Sequence, residues 1–168
     1  VVAANGVNVH LASAAAPTQS FSWATMRKKA KAGIVITASH NPWTDNGFKV
    51  RDPNGGAIDP EGLNRIEALI PDSPSEAKRV SIQDAKRDGK VVVFDASESY
   101  IKNLHKLVDI QRIKDAGFTV MVDAMWGNGA GWFTRLLAGG KTRVIEIHDV
   151  RNPSFPEMKR PEPIQPNI

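Results

Sequence analysis

The chain has 168 residues, 41% of them apolar and 24% charged, with 22 basic against 18 acidic side chains and no cysteine. That balance suits one ordinary globular domain or two small ones and excludes a disordered, weakly apolar chain. The missing thiols exclude disulfides and thiolate metal sites, no apolar run reaches the roughly 20 residues of a membrane-spanning helix, and residues 1–16 lack a signal peptide's basic start. A cytoplasmic protein without a membrane partner is the expectation.

Residues 7–13 read as a strand. A helix follows over 20–31, capped by Ser20 and closing on Arg27, Lys28, Lys29 and Lys31. This run dominates the +4 net charge. Cations there complement the helix dipole, and no aromatic interleaving accompanies them, so nucleic acid is not an expected partner; the surplus would instead draw a small anion. Residues 33–39 form the next strand, with Ile34, Val35, Ile36 and Thr37 supplying β-branched character. An Asn46-Gly47 turn should then reverse the chain and bring Lys49 back towards Ser39. A hairpin over 48–51 and 57–58 surrounds Asn54-Gly55-Gly56, and Pro60 opens a helix to about residue 70 with Leu63, Ile66, Ala68 and Leu69 inward.

Residues 71–89 read as a polar surface connection. A helix over 95–107, with Tyr100, Ile101, Leu104 and Leu107 at helical spacing, joins the halves, and a boundary near Val108 divides residues 1–107 from 108–168. Beyond it come a helix over 110–116, a strand over 118–122, a Gly-rich turn, a helix over 131–138 and a strand over 143–148. The predicted fold class is α/β: two tandem α/β/α units with mainly parallel, mixed sheets, suggestive of an internal repeat.

The richest stretch is GIVITASHNPWTDNGFK at 33–49. Ser39 sits just past a strand's carboxyl end, where ligands bind in open α/β sheets. His40 and Asn41 offer donors and acceptors, Pro42 stiffens the exit, and Trp43 could shape a cleft wall. A Ser-His-Asp hydrolase is disfavoured, since neighbouring side chains at a strand end seldom face each other and no GxSxG occurs. A solvated turn is the ordinary alternative. Downstream, GNGAG at 127–131 lacks GxGxxG spacing, so helix-on-strand packing explains it better than nucleotide binding, although helix amides there could meet an anion. Asp123 and Asp149 close strands and either cap a helix or touch a ligand. His10, His105 and His148 lack metal-ligand spacing. Core packing accounts for Trp23, Trp126 and Trp132 with Phe21 and Phe133.

TASHNP followed by NGFK resembles the phosphoserine loop of the α-D-phosphohexomutases, the phosphoglucomutase/phosphomannomutase family. The resemblance continues through residues 6–18, although Gln19 stands where a second proline is common, and through VMVDAMWGNGAG, Phe155-Pro156 and Pro161-Glu162-Pro163, which look like the family's second domain. It implies that Ser39 carries the transferable phosphoryl group with His40 as its catalytic partner. Lys49 is implied as an acid/base or charge stabiliser, and Thr37, Asn41, Asn46 and Lys49 as phosphate contacts. The activity implied is interconversion of hexose 1-phosphate and hexose 6-phosphate through a bisphosphate, with Mg2+ bound partly by the phosphoryl group on Ser39. The family's DGDxDR-type metal loop does not occur in the string. The resemblance therefore implies a piece covering the end of the first domain and most of the second, inactive alone, whose partners include a hexose phosphate and the parent's remaining domains. A non-catalytic α/β module that binds phosphate or another anion is the competing class.

Overall fold

The structure, a computed structural model, describes residues 1–167. Within residues 1–107, the first unit of the sequence reading, β1 (Val9–Ala12) leads into α1 (Thr18–Arg27), β2 (Gly33–Ile36) and β3 (Phe48–Arg51), followed by α2 (Pro60–Glu67), α3 (Ile82–Arg87), β4 (Val91–Phe94) and α4 (Ser97–Leu107). The second holds α5 (Ile110–Asp115), β5 (Thr119–Asp123), α6 (Trp132–Leu137) and β6 (Arg143–Ile147). No helix among the described residues is long and apolar enough to cross a membrane.

The α/β class is confirmed, with two of the three strand pairs among the described residues parallel: β1 with β4, and β5 with β6. The third, β2 with β3, is antiparallel. In the second unit β5, α6 and β6 make a parallel crossover, as the sequence implies. The first differs, because β1 pairs with β4 rather than with β2. Residues 91–94 are Val-Val-Val-Phe, a β-branched run beyond the segment that reads as a surface connection. That segment is itself partly helical. Ser81 caps α3 by accepting from the Asp84 amide at 3.0 Å and donating to the Asp84 carboxylate at 2.6 Å, a reciprocal cap that a polar composition conceals.

Several other expectations are corrected. Helix α1 begins two residues before Ser20, so Ser20 does not cap it; the fully buried Ser20 hydroxyl donates to the Pro17 carbonyl at 2.7 Å. Leu63 and Leu69 of the predicted inward stripe are exposed, Leu69 at 83%, and Ala68 is exposed too. The stripe exists, but among the described residues no element packs closely over α2. Leu107 and Phe133 are likewise exposed. The buried apolar set is small, including Val35, Val91, Ala96, Ile110, Leu137 and Met158.

Helix α6 meets α4 through a hydrogen bond and a ring pair. Arg135 of α6 donates to Ser97 Oγ at 3.1 Å, and the Tyr100 and Trp132 rings lie 6.2 Å apart. Residues just past the carboxyl end of β2 and residues just past that of β5 line one cavity, which locates the site.

Candidate active site

Strand β2 stops at Ile36, and the loop after it is closed by the Thr37 amide donating to the Gly47 carbonyl at 2.9 Å. Gly47 is required there, because a Cβ would collide with the Thr37 carbonyl oxygen. Thr37 Oγ1 accepts from the Ser39 amide at 3.0 Å. Ser39 itself has φ of 61°, in the left-handed region that few non-glycine residues adopt. Its side chain is consequently presented from an exposed, strained corner.

That corner overturns the objection that neighbouring side chains do not face each other. Alternation holds only while the backbone stays extended, and the left-handed turn at Ser39 breaks it. Ser39 Oγ lies 3.2 Å from His40 Nδ1. The other ring nitrogen, Nε2, lies 3.0 Å from a carboxylate oxygen of Glu162, far along the chain. In the sequence Glu162 stands out only as part of a proline-flanked motif; its distance along the chain hides the contact.

An open cavity of about 520 Å³ lies between this loop and the second unit. Thr37, Ser39, Asn41, Trp43 and Asn46 line one side; Met125, Trp126, Asn128, Arg151 and Phe155 line the other. Trp43, 63% exposed, occupies the cleft wall expected for it, whereas Trp126 belongs to the cavity wall rather than to a core. Asn46 does not form a two-residue hairpin. Its Oδ1 accepts from the Gly47 amide at 2.9 Å, at the end of a longer loop. Lys49 stands opposite Val35 across the β2–β3 ladder, exposed and outside the cavity lining. Register puts it on the same sheet face as Thr37. Two wall residues escape the sequence reading: Arg151, whose Nε donates to Asn128 Oδ1 at 2.7 Å, and Asn128 itself. The glycine-rich GNGAG pattern is the available signal for Asn128.

Glycine-rich backbone near that wall is already committed. The Gly131 and Thr134 amides both donate to the Glu146 carboxylate at 2.7 Å, so the expected chance of an anion at these helix amides is not realised. Burial pushes the Glu146 carboxyl up, but the amides of Thr134 and Gly131 outweigh it and hold it below the usual glutamate range. Asp123, instead of capping a helix, accepts from the Met125 amide at 2.8 Å and meets His148 Nδ1 at 2.8 Å. Glu157 lies 3.3 Å from the other ring nitrogen. The hydrogen bond to Asp123 raises the His148 pKa against an opposing desolvation, with the Asp123 charge and Glu157 adding to the rise. Among the described residues no three His, Cys, Asp or Glu side chains gather where a metal ion could be held.

The description "Phosphoglucomutase/phosphomannomutase, alpha/beta/alpha domain I" matches residues 1–77, and the corresponding domain II matches residues 98–168. The chain belongs to the phosphoglucomutase/phosphomannomutase family. A phosphoglucomutase/phosphomannomutase of Thermococcus kodakarensis is 32% identical over 91% of the chain, and a phosphoglucosamine mutase of Mycolicibacterium paratuberculosis is 32% identical over 79%. A crystal structure from Thermus thermophilus, of a protein provisionally named a phosphomannomutase, superposes with a TM-score of 0.83 at 31% identity over 99% of the chain. The chain spans 32%, 28% and 36% of those three proteins respectively.

Proposed function

We propose that the chain forms the phosphoryl-carrying part of a phosphohexomutase, and that Ser39 holds the phosphoryl group exchanged with a hexose phosphate. One observation carries this reading: an exposed hydroxyl at a strand's carboxyl end, held in left-handed backbone and opening into a cavity with a guanidinium on its wall. Phosphoryl transfer needs positioning and charge neutralisation more than covalent help from the protein. Thr37 sets the Ser39 backbone, Asn41 and Asn46 offer polar groups to phosphoryl oxygens, and Arg151 supplies fixed positive charge.

In this reading His40 is the immediate partner of the Ser39 oxygen, and Lys49, on the Thr37 face of the sheet, stabilises charge from beside the cavity. Magnesium, which the family resemblance implies, would find among the described residues only the phosphoryl oxygens carried by Ser39. The exchange itself conserves groups: the Ser39 phosphoryl passes to one sugar oxygen, and a phosphoryl from the other returns to Ser39. The remaining domains of the parent, by this reading, hold the sugar while it turns.

Intact-mass measurement of protein purified from cells, before and after incubation with glucose 1,6-bisphosphate, tests the assignment. A single added phosphate is expected, and its complete loss is expected in Ser39→Ala. Phosphate retained by Ser39→Ala, or never acquired by the wild type with its parent domains present, overturns it in favour of an anion-binding module without turnover.

A further inference from the structure

We infer that Glu162 is a positioning residue for Ser39, acting through the His40 ring; the inference rests on the reading of Ser39 as phosphoryl carrier. The argument is one of hydrogen-bond accounting. An ionised carboxylate can only accept. With Glu162 Oε1 at 3.0 Å from His40 Nε2, that nitrogen must carry the proton. In the neutral ring Nδ1 is then bare, and a bare nitrogen 3.2 Å from Ser39 Oγ can only accept. The serine hydroxyl must therefore donate to His40. Which ring nitrogen is protonated is set by the partner of the other, so Glu162 fixes the donor direction of a hydroxyl it does not touch. With its hydrogen directed at the ring, Ser39 Oγ keeps both lone pairs free to face the cavity.

The backbone that carries this carboxylate is hydrogen-bonded on both sides of the residue. The Glu162 side chain is only 20% exposed, against 51% for His40. The Asn167 side-chain amide donates to the Glu162 carbonyl at 2.7 Å and to that of Arg160 at 2.6 Å, while the Ile164 amide donates to the Glu162 carbonyl at 2.9 Å. Adjacent Pro161 lines the same cavity as Ser39. A hydrogen-bonded turn of the second unit thus reaches across the cleft to the ring that abuts the first unit's serine.

Nitrogen-15 NMR of the His40 ring, at about pH 8 where an ordinary histidine is neutral, reads the proton's position directly. The wild type should show the proton on Nε2, Glu162→Leu should lose that preference, and Glu162→Gln, which keeps an acceptor oxygen, should restore much of it. Phosphate uptake by Ser39 from glucose 1,6-bisphosphate should fall about tenfold to a hundredfold in Glu162→Leu and recover partly in Glu162→Gln, by analogy with the range for partners that orient metal-ligating histidines. Equal tautomer populations in wild type and Glu162→Leu overturn the inference, as does unchanged uptake despite a shifted tautomer. A wild type that shows the Nε2 proton yet never takes up phosphate overturns the reading of Ser39 and, with it, the positioning role.

Discussion

Two loops follow the carboxyl ends of strands on opposite sides of one cavity, and they dispose of their polar groups differently. After β2, Ser39 and Asn41 line the cavity, and among the described residues the Ser39 hydroxyl is partnered only by its neighbour His40. After β5, the glycine-rich loop spends its amides internally: Glu146 takes those of Gly131 and Thr134, and Asp123 takes that of Met125. Glycine abundance therefore does not identify the reactive loop. The loop that can act is the one whose backbone is satisfied by its own closure while a side chain is left over.

The comparison breaks most severely at Gly47. In Gly47→Ala the new methyl meets the Thr37 carbonyl, a backbone atom that cannot swing aside. We expect a stability loss of about 3 kcal/mol, at the upper end for a small-to-large change in a tight place, read as a lowered denaturant midpoint. Phosphate uptake at Ser39 should fall with it. An unchanged midpoint would mean that the Thr37–Gly47 closure does not hold the loop.

A matching change on the other side is Glu146→Ala. It strips two amide partners from the start of α6, at a cost of about 2 kcal/mol, yet should leave Ser39 chemistry intact wherever the chain remains folded. Its pH signature has a definite sign. Because the carboxyl is held below its ordinary value, its contribution is present above the unfolded-state pKa of about 4.3 and is lost as pH falls through the lower folded value. Acid titration of wild type and Glu146→Ala should therefore converge only below that range; a constant gap would contradict the assigned hydrogen bonds.

Thr37→Val is smaller and more local. It keeps shape and β-branching but removes the acceptor for the Ser39 amide, at a cost of about 1 kcal/mol. Amide exchange at Ser39 should quicken while β2–β3 protection holds. Unaltered exchange would show that the left-handed corner stands without its threonine.

Legibility in the sequence follows the range of each interaction. The β5–α6–β6 unit is readable because its strand patterns and turn are local, and the TASHNP string exposes Ser39 without any geometry. The β1–β4 pairing is not, since Val9 and Val91 are distant in sequence and nothing in either names the other. The sequence brings Lys49 back through a tight Asn46-Gly47 turn, whereas the structure closes the reversal at the Thr37–Gly47 pair and leaves Lys49 outside the cavity lining. Glu162 is visible as a residue but not as a partner, because a contact made across the cleft leaves no spacing to read. Ser39's left-handed backbone is equally hidden, since serine gives no conformational signal of the kind glycine does.

The smallest expected effect concerns the clasp behind the second loop. His148 sits between Asp123 and Glu157, with its ring 4.9 Å from that of Trp126 on the cavity wall. The hydrogen bond to Asp123 raises its pKa, so the imidazolium's contribution is complete below the ordinary histidine value of about 6.5 and disappears as pH rises through the higher folded value. The stability gap between wild type and His148→Gln should be widest near pH 6 and narrow as pH rises beyond that folded value. A gap that stays level would show that the clasp works through the ring's shape rather than its charge. A gap that widened with pH would reverse the assigned sign altogether, because only a ring stabilised in its neutral form gains strength as protons are withdrawn.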